Sequence, residues 1–186
     1  MYKRIEGVRV SAYIAASLDG FIARENGTVD WLPSPDETDQ SGDYGFSEFF
    51  NSVDCLVMGR NTLEKVLEFG AWPYEGKRVL VLSTSISQVP DQVKGKAELY
   101  AGSLYALLKL LRSEGCSRIY VDGGKTIQSF LKEGLLTDIT ITTVPILLGN
   151  GIRLFDGNEH DIPLKHLETN SFQSGFVQSS YEIEYA

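Results

Sequence analysis

Three short stretches combine glycines, cations and hydroxyls in patterns that suit a bound phosphate: Gly59-Arg60-Asn61-Thr62, Ser83-Thr84-Ser85 and Gly123-Gly124-Lys125-Thr126. Glycine lets the backbone approach a ligand and adopt φ values closed to other residues. A helix that starts just after it presents unpaired N–H groups and a positive dipole end. Gly123-Gly124 fits that description, and equally fits a tight strand-to-helix turn with no ligand. Arg60 has the guanidinium fork that grips a phosphate bidentately. A lone cation at a helix start is electrostatically unfavourable, which an anionic partner would relieve. The three hydroxyls at Ser83 to Ser85 would complete a sugar-phosphate site, each charge-assisted hydrogen bond being worth about 1.5–3 kcal/mol. Asp19, in Ser17-Leu18-Asp19-Gly20, either delivers a proton or simply makes an Asp-Gly turn.

Several other chemistries are excluded. There is no GxGxxG fingerprint, and the local Gly-Lys-Thr lacks the earlier glycine of a GxxxxGK[ST] loop. No GxSxG nucleophile elbow occurs. His160 and His166 stand apart from the three stretches, and there is no CxxC pair or Cys/His cluster, so no metal site is expected. Cys55 and Cys116 each adjoin an apolar run and read as small buried thiols. The formal net charge of −8 and pI near 4.8 oppose nucleic-acid binding. Glu6, Arg9 and Asp19 break up the first apolar stretch, which reads as a strand and not an export signal. No apolar run approaches membrane-spanning length, and the expected location is the cytoplasm.

The elements that must position these stretches follow from hydrophobic pattern. Short apolar runs that do not alternate indicate strands covered on both faces: Val8–Ala16, Cys55–Met58, Arg78–Leu82 and Arg118–Val121; after Thr137 the pattern changes, and Ile139–Val144 reads as a further strand that Pro145 interrupts. Each of the three phosphate-suited stretches lies at the carboxyl end of such a run. Helices are expected between them. Phe46, Phe49 and Phe50 share one face near Asp43–Ser52. Asn61 could cap Thr62–Leu67, with Glu64 completing a capping box. Ser103 could cap Leu104–Arg112, and Thr126–Lys132 would end at Gly134. Leu164–Phe172 and Phe176–Tyr185 flank Ser174-Gly175 and should form an antiparallel hairpin. The length of 186 residues suits one domain over 1–186. The expected architecture is α/β: three layers, a mainly parallel sheet flanked by helices, with a C-terminal antiparallel hairpin. Ligands of open α/β sheets bind outside the carboxyl ends of the strands.

Four blocks, in order along nearly the whole chain, resemble the dihydrofolate-reductase-like superfamily, in particular the group related to the C-terminal reductase domain of bacterial riboflavin-biosynthesis (deaminase/reductase) proteins. They are Ala16-Ser-Leu-Asp-Gly-Phe-Ile-Ala23 with Trp31 following, Met58-Gly-Arg-Asn-Thr62, Ile119-Tyr-Val-Asp-Gly-Gly124, and Asp138 through Pro145-Ile-Leu-Leu-Gly149. The resemblance implies NADPH lying across the strand ends and a hydride passed to a small, heterocyclic substrate of the pyrimidine or pterin kind. Gly59, Arg60 and Thr62 would flank the adenosine phosphate and pyrophosphate, and Ser83 and Thr84 the 2′-phosphate. Gly123 and Gly124 would turn beneath the pyrophosphate, with Lys125, Thr126 and Ile127 opening the helix. Ala15, Ala16 and the loop from Asp19 to Trp31 would cover the nicotinamide. Asp43 falls where folate-reducing members carry a helix carboxylate, and also fits a helix N-cap. Trp31 and Phe50 are candidate substrate walls; Tyr13 and Phe46 read as core. Two rival readings remain: a nucleotide-binding or sensor module without turnover, and a homodimer paired along the hairpin edge.

Overall fold

The computed structural model describes residues 4–33, 42–157 and 160–185. The strands β1 (Arg9–Ser17), β3 (Cys55–Gly59), β4 (Arg78–Leu82), β5 (Ala97–Tyr100), β6 (Arg118–Asp122) and β7 (Asp138–Val144) form a parallel sheet. The hairpin β9 (Leu164–Ser171) and β10 (Val177–Ile183) continues it antiparallel beyond β7, in the order β5-β4-β3-β6-β1-β7-β10-β9. A small second ribbon pairs β2 (Phe21–Ala23) with β8 (Ile152–Arg153). The expected mainly parallel α/β sheet with a C-terminal hairpin is what forms.

The strand period of two divides the core into two layers. In β3, Cys55 and Val57 point to one face; Leu56 and Met58 point to the other, and all four are buried. The first face is covered by α3 (Leu104–Ser113) through Leu104, Leu107, Leu108 and Leu111, and by α4 (Gly124–Lys132) through Ile127, Phe130 and Leu131. The second is covered by α1 (Phe46–Ser52) through Phe49 and by α2 (Arg60–Glu68) through Leu63 and Val66. Apolar residues three and four apart give each helix one sticky stripe, so packing against the sheet fixes its rotation. Ser103 caps α3 as expected, accepting from Ala106 N at 3.3 Å.

Three expectations need correction. Asn61 does not cap α2: the helix begins at Arg60, and Gly59, in extended conformation, is the capping residue with no side chain to offer. Helix α4 begins at Gly124, two residues before Thr126, because Gly123 at φ 93° turns the strand straight into the helix. β5, with charged Lys96 and Glu98 about its start, and the two- and three-residue strands β8 and β2 were not foreseen. They are too short to show a period. No described helix is long and apolar enough to cross a membrane.

Candidate functional site

All six parallel strands end on one edge, which brings Gly59, Ser83 and Gly123 together there. β3 and β6 are neighbours, with Met58 paired to Asp122, yet the helices that follow them go to opposite faces. Chain direction forces this. β3 leads outward to β4, whereas β6 leads past β1 to β7, and right-handed crossovers in opposite directions lie on opposite sides. The result is a crevice flanked by two helix N-termini at a topological switch point, the place where open α/β sheets take ligands.

The two turns are built reciprocally. A Cβ on Gly59 would lie 3.1 Å from Thr126 Oγ1, and one on Gly123 only 2.2 Å from Thr62 Oγ1. Each glycine thus receives the threonine of the other helix. Gly124 has a different use: a Cβ there would meet Ile22 Cδ1 at 2.6 Å, so its smallness seats the β2–β8 ribbon against α4. Lys125 is exposed and Thr126 buried. Ile127 is withdrawn from ligand contact, because its side chain is wholly buried in the core and its N–H donates to Gly123 O at 2.9 Å.

Beyond β3, Arg60 is half-exposed and 3.7 Å from Glu64 one turn along α2. It borders a groove of about 280 Å³ lined by Leu63, Ile86, Val89 and Pro90. At the end of β4, Ser83 Oγ accepts from Ser85 N and lies 3.2 Å from Ser85 Oγ, while Thr84 is exposed. These residues form the far wing of the same edge.

On the other wing, Ala15 points towards Trp31 and Ala16 towards the α4 layer. Trp31 is buried with Val144 and Phe176, and its indole N–H has no hydrogen-bond partner among the described residues. Asp19 ties two loops together: Oδ1 accepts from Ser17 Oγ at 2.6 Å and Leu148 N at 3.1 Å, and Oδ2 from Gly149 N at 2.8 Å. Those bonds, the one from Ser17 foremost, lower its pKa to about 2. At neutral pH Asp19 is therefore a carboxylate with both oxygens engaged, an arrangement suited to a turn and not to proton delivery. Asp43 behaves similarly. The Ser47 side chain, together with Ser47 N at 2.7 Å and Gly45 N at 3.1 Å, donates to it and holds its pKa down; Asp43 thereby ties down the first turn of α1, although the N-cap position itself is taken by Gly45 and not, as expected, by Asp43.

The carboxyl group with the opposite environment is Asp122, which the sequence reading passed over. It is only partly exposed at the end of β6, and loss of hydration pushes its pKa up to about 6. Gly123 N donates to Oδ1 at 2.8 Å, while the neighbouring Tyr120 hydroxyl donates to Tyr13 O at 3.2 Å. Tyr120 lies on the α1 face, where its ring is edge-on to Phe49 and Phe46. Phe46 stacks on Phe50 at 5.7 Å and Tyr13 on Phe49 at 4.7 Å. Phe50, itself half-exposed, also packs on Tyr74. The structure thus places Phe50 in the aromatic wall beside Asp122 and Trp31 in a separate cluster. Tyr13 links the two, since Gln178 Nε2 donates to its hydroxyl at 2.7 Å and to Tyr44 O at 3.0 Å. The signal for Asp122 was present: an acid directly before Gly-Gly, two residues after a tyrosine, at a strand end.

Comparison with known proteins agrees with this geometry. Residues 9–178 match the RibD C-terminal domain family. The uncharacterised protein YwjB of Bacillus subtilis is 35% identical over 163 residues, covering 86% of this chain and 90% of YwjB. A Shewanella sp. PV-4 protein provisionally described as a riboflavin biosynthesis protein has a crystal structure that superposes with a TM-score of 0.86 at 38% identity, covering 96% of this chain and 100% of that one. The Thermotoga maritima diaminohydroxyphosphoribosylaminopyrimidine deaminase/5-amino-6-(5-phosphoribosylamino)uracil reductase shares the fold, with a TM-score of 0.71 at 19% identity, over 95% of this chain and 56% of that one. With its ordered motifs, parallel sheet and switch-point crevice, the chain belongs to the RibD C-terminal domain family.

Proposed function

We propose that this chain is an NADPH-dependent reductase of a small heterocyclic substrate. The observation that carries the reading is the crevice between Gly59 and Gly123, where two helix N-termini meet with no side chain at either turn. Both turns are bare of side chains of their own, with Thr62 and Thr126 seated against them, and the backbone N–H groups of the two helix starts suit a pyrophosphate. Gly59, Thr62, Gly123, Gly124, Lys125 and Thr126 would hold the pyrophosphate. Arg60, Ser83 and Thr84 would meet the 2′-phosphate, with the groove beside Arg60 taking the adenine. Ala15 and Ala16, being small, leave room for the nicotinamide at the end of β1.

When bound, the cofactor supplies a hydride. The chain must then provide a proton and a wall. Asp122 is suited to the first task, because a carboxyl with pKa near 6 keeps a usable protonated fraction near neutrality. Phe46 and Phe50 are suited to the second, offering stacked and partly exposed rings to a flat heterocycle. Asp19 and Asp43 act by fixing the loop after β1 and the start of α1. The bare β9, exposed at all eight positions, favours a homodimer through the hairpin.

Titration with NADPH and NADH tests the cofactor reading. Saturable NADPH binding, weakened roughly tenfold or more without the 2′-phosphate, is expected. Binding of neither nucleotide would remove the proposal. Saturable binding with no NADPH oxidation across a panel of pterins and aminopyrimidines would favour a sensor module instead. Asp122→Asn should abolish turnover while leaving NADPH affinity within about twofold. Sedimentation at micromolar concentration tests the dimer, which a clean monomer would exclude.

A further inference from the structure

The edge of the sheet opposite the crevice carries the chain's two cysteines. Cys55 opens β3 and is wholly buried; Cys116 lies in the turn between α3 and β6 and is partly exposed. Both pack into the same apolar layer under α3, where Cys116 is a neighbour of Cys55. The backbones that bear them are clamped side by side. Asp54 N donates to Arg118 O at 2.8 Å, and Asp54 Oδ2 accepts from Ser117 N at 2.7 Å and Arg118 N at 2.8 Å. Cys116 N donates to Leu111 O at 2.9 Å, which fixes the turn to the end of α3. A dithiol held by its backbones in this way pays little entropy to close.

We propose that Cys55 and Cys116 form a thiol–disulfide site that a low-molecular-weight disulfide such as oxidised glutathione converts to an intrachain bond. Cys116, the accessible thiol, enters first. As thiolate it attacks one glutathione sulfur, forming a mixed disulfide; the other glutathione leaves with the electron pair and takes up a proton. Cys55, once deprotonated, then attacks the Cys116 sulfur and expels the second glutathione as a thiol. In sum the two cysteines lose two hydrogens and two electrons, and one glutathione disulfide becomes two thiols. Burial pushes the Cys55 thiol well above its ordinary pKa, so the second step is the slow one. The bond would cross-link β3 to the turn that leads into β6, the two strands whose opposite ends form the crevice.

The experiment treats the reduced full chain with oxidised glutathione, then unfolds it, alkylates free thiols and maps peptides without reduction. The expected result is a chain lighter by two hydrogens, with the Cys55 and Cys116 peptides joined and both thiols lost to alkylation. Cys116→Ser, at the partly exposed position, should leave Cys55 free and unmodified under the same treatment. Persistence of both free thiols, or arrest with glutathione still attached to Cys116, would overturn the proposal. So would modification of Cys55 in Cys116→Ser at the wild-type rate, since entry would then not require Cys116.

Discussion

The turns after β3 and β6 look alike in sequence, each an apolar run followed by glycine and a helix carrying a threonine three residues on. They differ in backbone. Gly59 is at φ −83°, open to any residue, whereas Gly123 is at φ 93°, a region L side chains rarely adopt. The space differs too: a Cβ at Gly59 would press on a threonine hydroxyl, and one at Gly123 would overlap it. Glycine at the first turn is a matter of fit, and at the second a matter of chain direction as well. The β6 turn also carries Asp122, the acid with the raised pKa, so geometry and chemistry concentrate there.

The largest expected effect follows directly. Gly123→Ala should cost about 3 kcal/mol or more, combining steric overlap with left-handed strain, and should abolish NADPH binding. Thermal unfolding and nucleotide titration would show it; equal losses in Gly59→Ala would break the comparison.

Asp122 gives the next effect. Its pKa is raised from 3.8 to about 6, so the folded chain holds this proton more tightly than the unfolded one between those values. Its contribution to stability is fully present below pH 3.8 and is lost as pH rises through 6, by on the order of 2–3 kcal/mol. Asp122→Asn keeps an oxygen for Gly123 N and removes the charge. It should stabilise the chain at pH 8 and make no difference at pH 4, as denaturant titration at the two values would reveal.

Gly59→Ala should cost less, about 1 kcal/mol, because only the contact with Thr126 must give. A double-mutant cycle sharpens the contrast further. Thr62→Ala should recover part of the Gly123→Ala loss, about 1 kcal/mol, by removing the overlap while leaving the φ strain. Complete recovery would mean that crowding alone explains Gly123. The smallest effect is at the end of β1. Asp19→Asn should lower the melting temperature slightly at pH 7, with the difference vanishing as pH falls towards 2. The wild-type carboxylate, whose pKa is depressed, loses its contribution over that range.

Much of this was legible from the sequence because the signals are local. Apolar runs such as Arg78–Leu82 and stripes such as Leu104, Leu107, Leu108 and Leu111 reveal strands and helices by period alone. The three strand-end stretches were legible for the same reason. Their division of labour was not. That Gly124 seats Ile22, that Ile127 belongs to the core, and that Asp19 bonds Leu148 and Gly149 all depend on residues far away in the chain. The same holds for Asp122, whose environment is assembled from Tyr120 and the helices over it. A carboxylate's role is set by what surrounds it: Ser17 beside Asp19 and Gly123 beside Asp122 were readable along the chain, whereas Leu148 and Gly149 on Asp19 and the helices over Asp122 were not.

The β2–β8 ribbon has a consequence in time. Ile22 can brace Gly124 only when Phe21 and Ala23 are paired with Arg153 and Ile152, residues some 130 positions later. Contacts this distant close late, after the loop entropy between them has been overcome. A chain emerging from the ribosome can form β3, α2 and their turn early. The second half of the cradle gains its support only when the segment through Arg153 is free to fold back, so ligand competence waits for that segment.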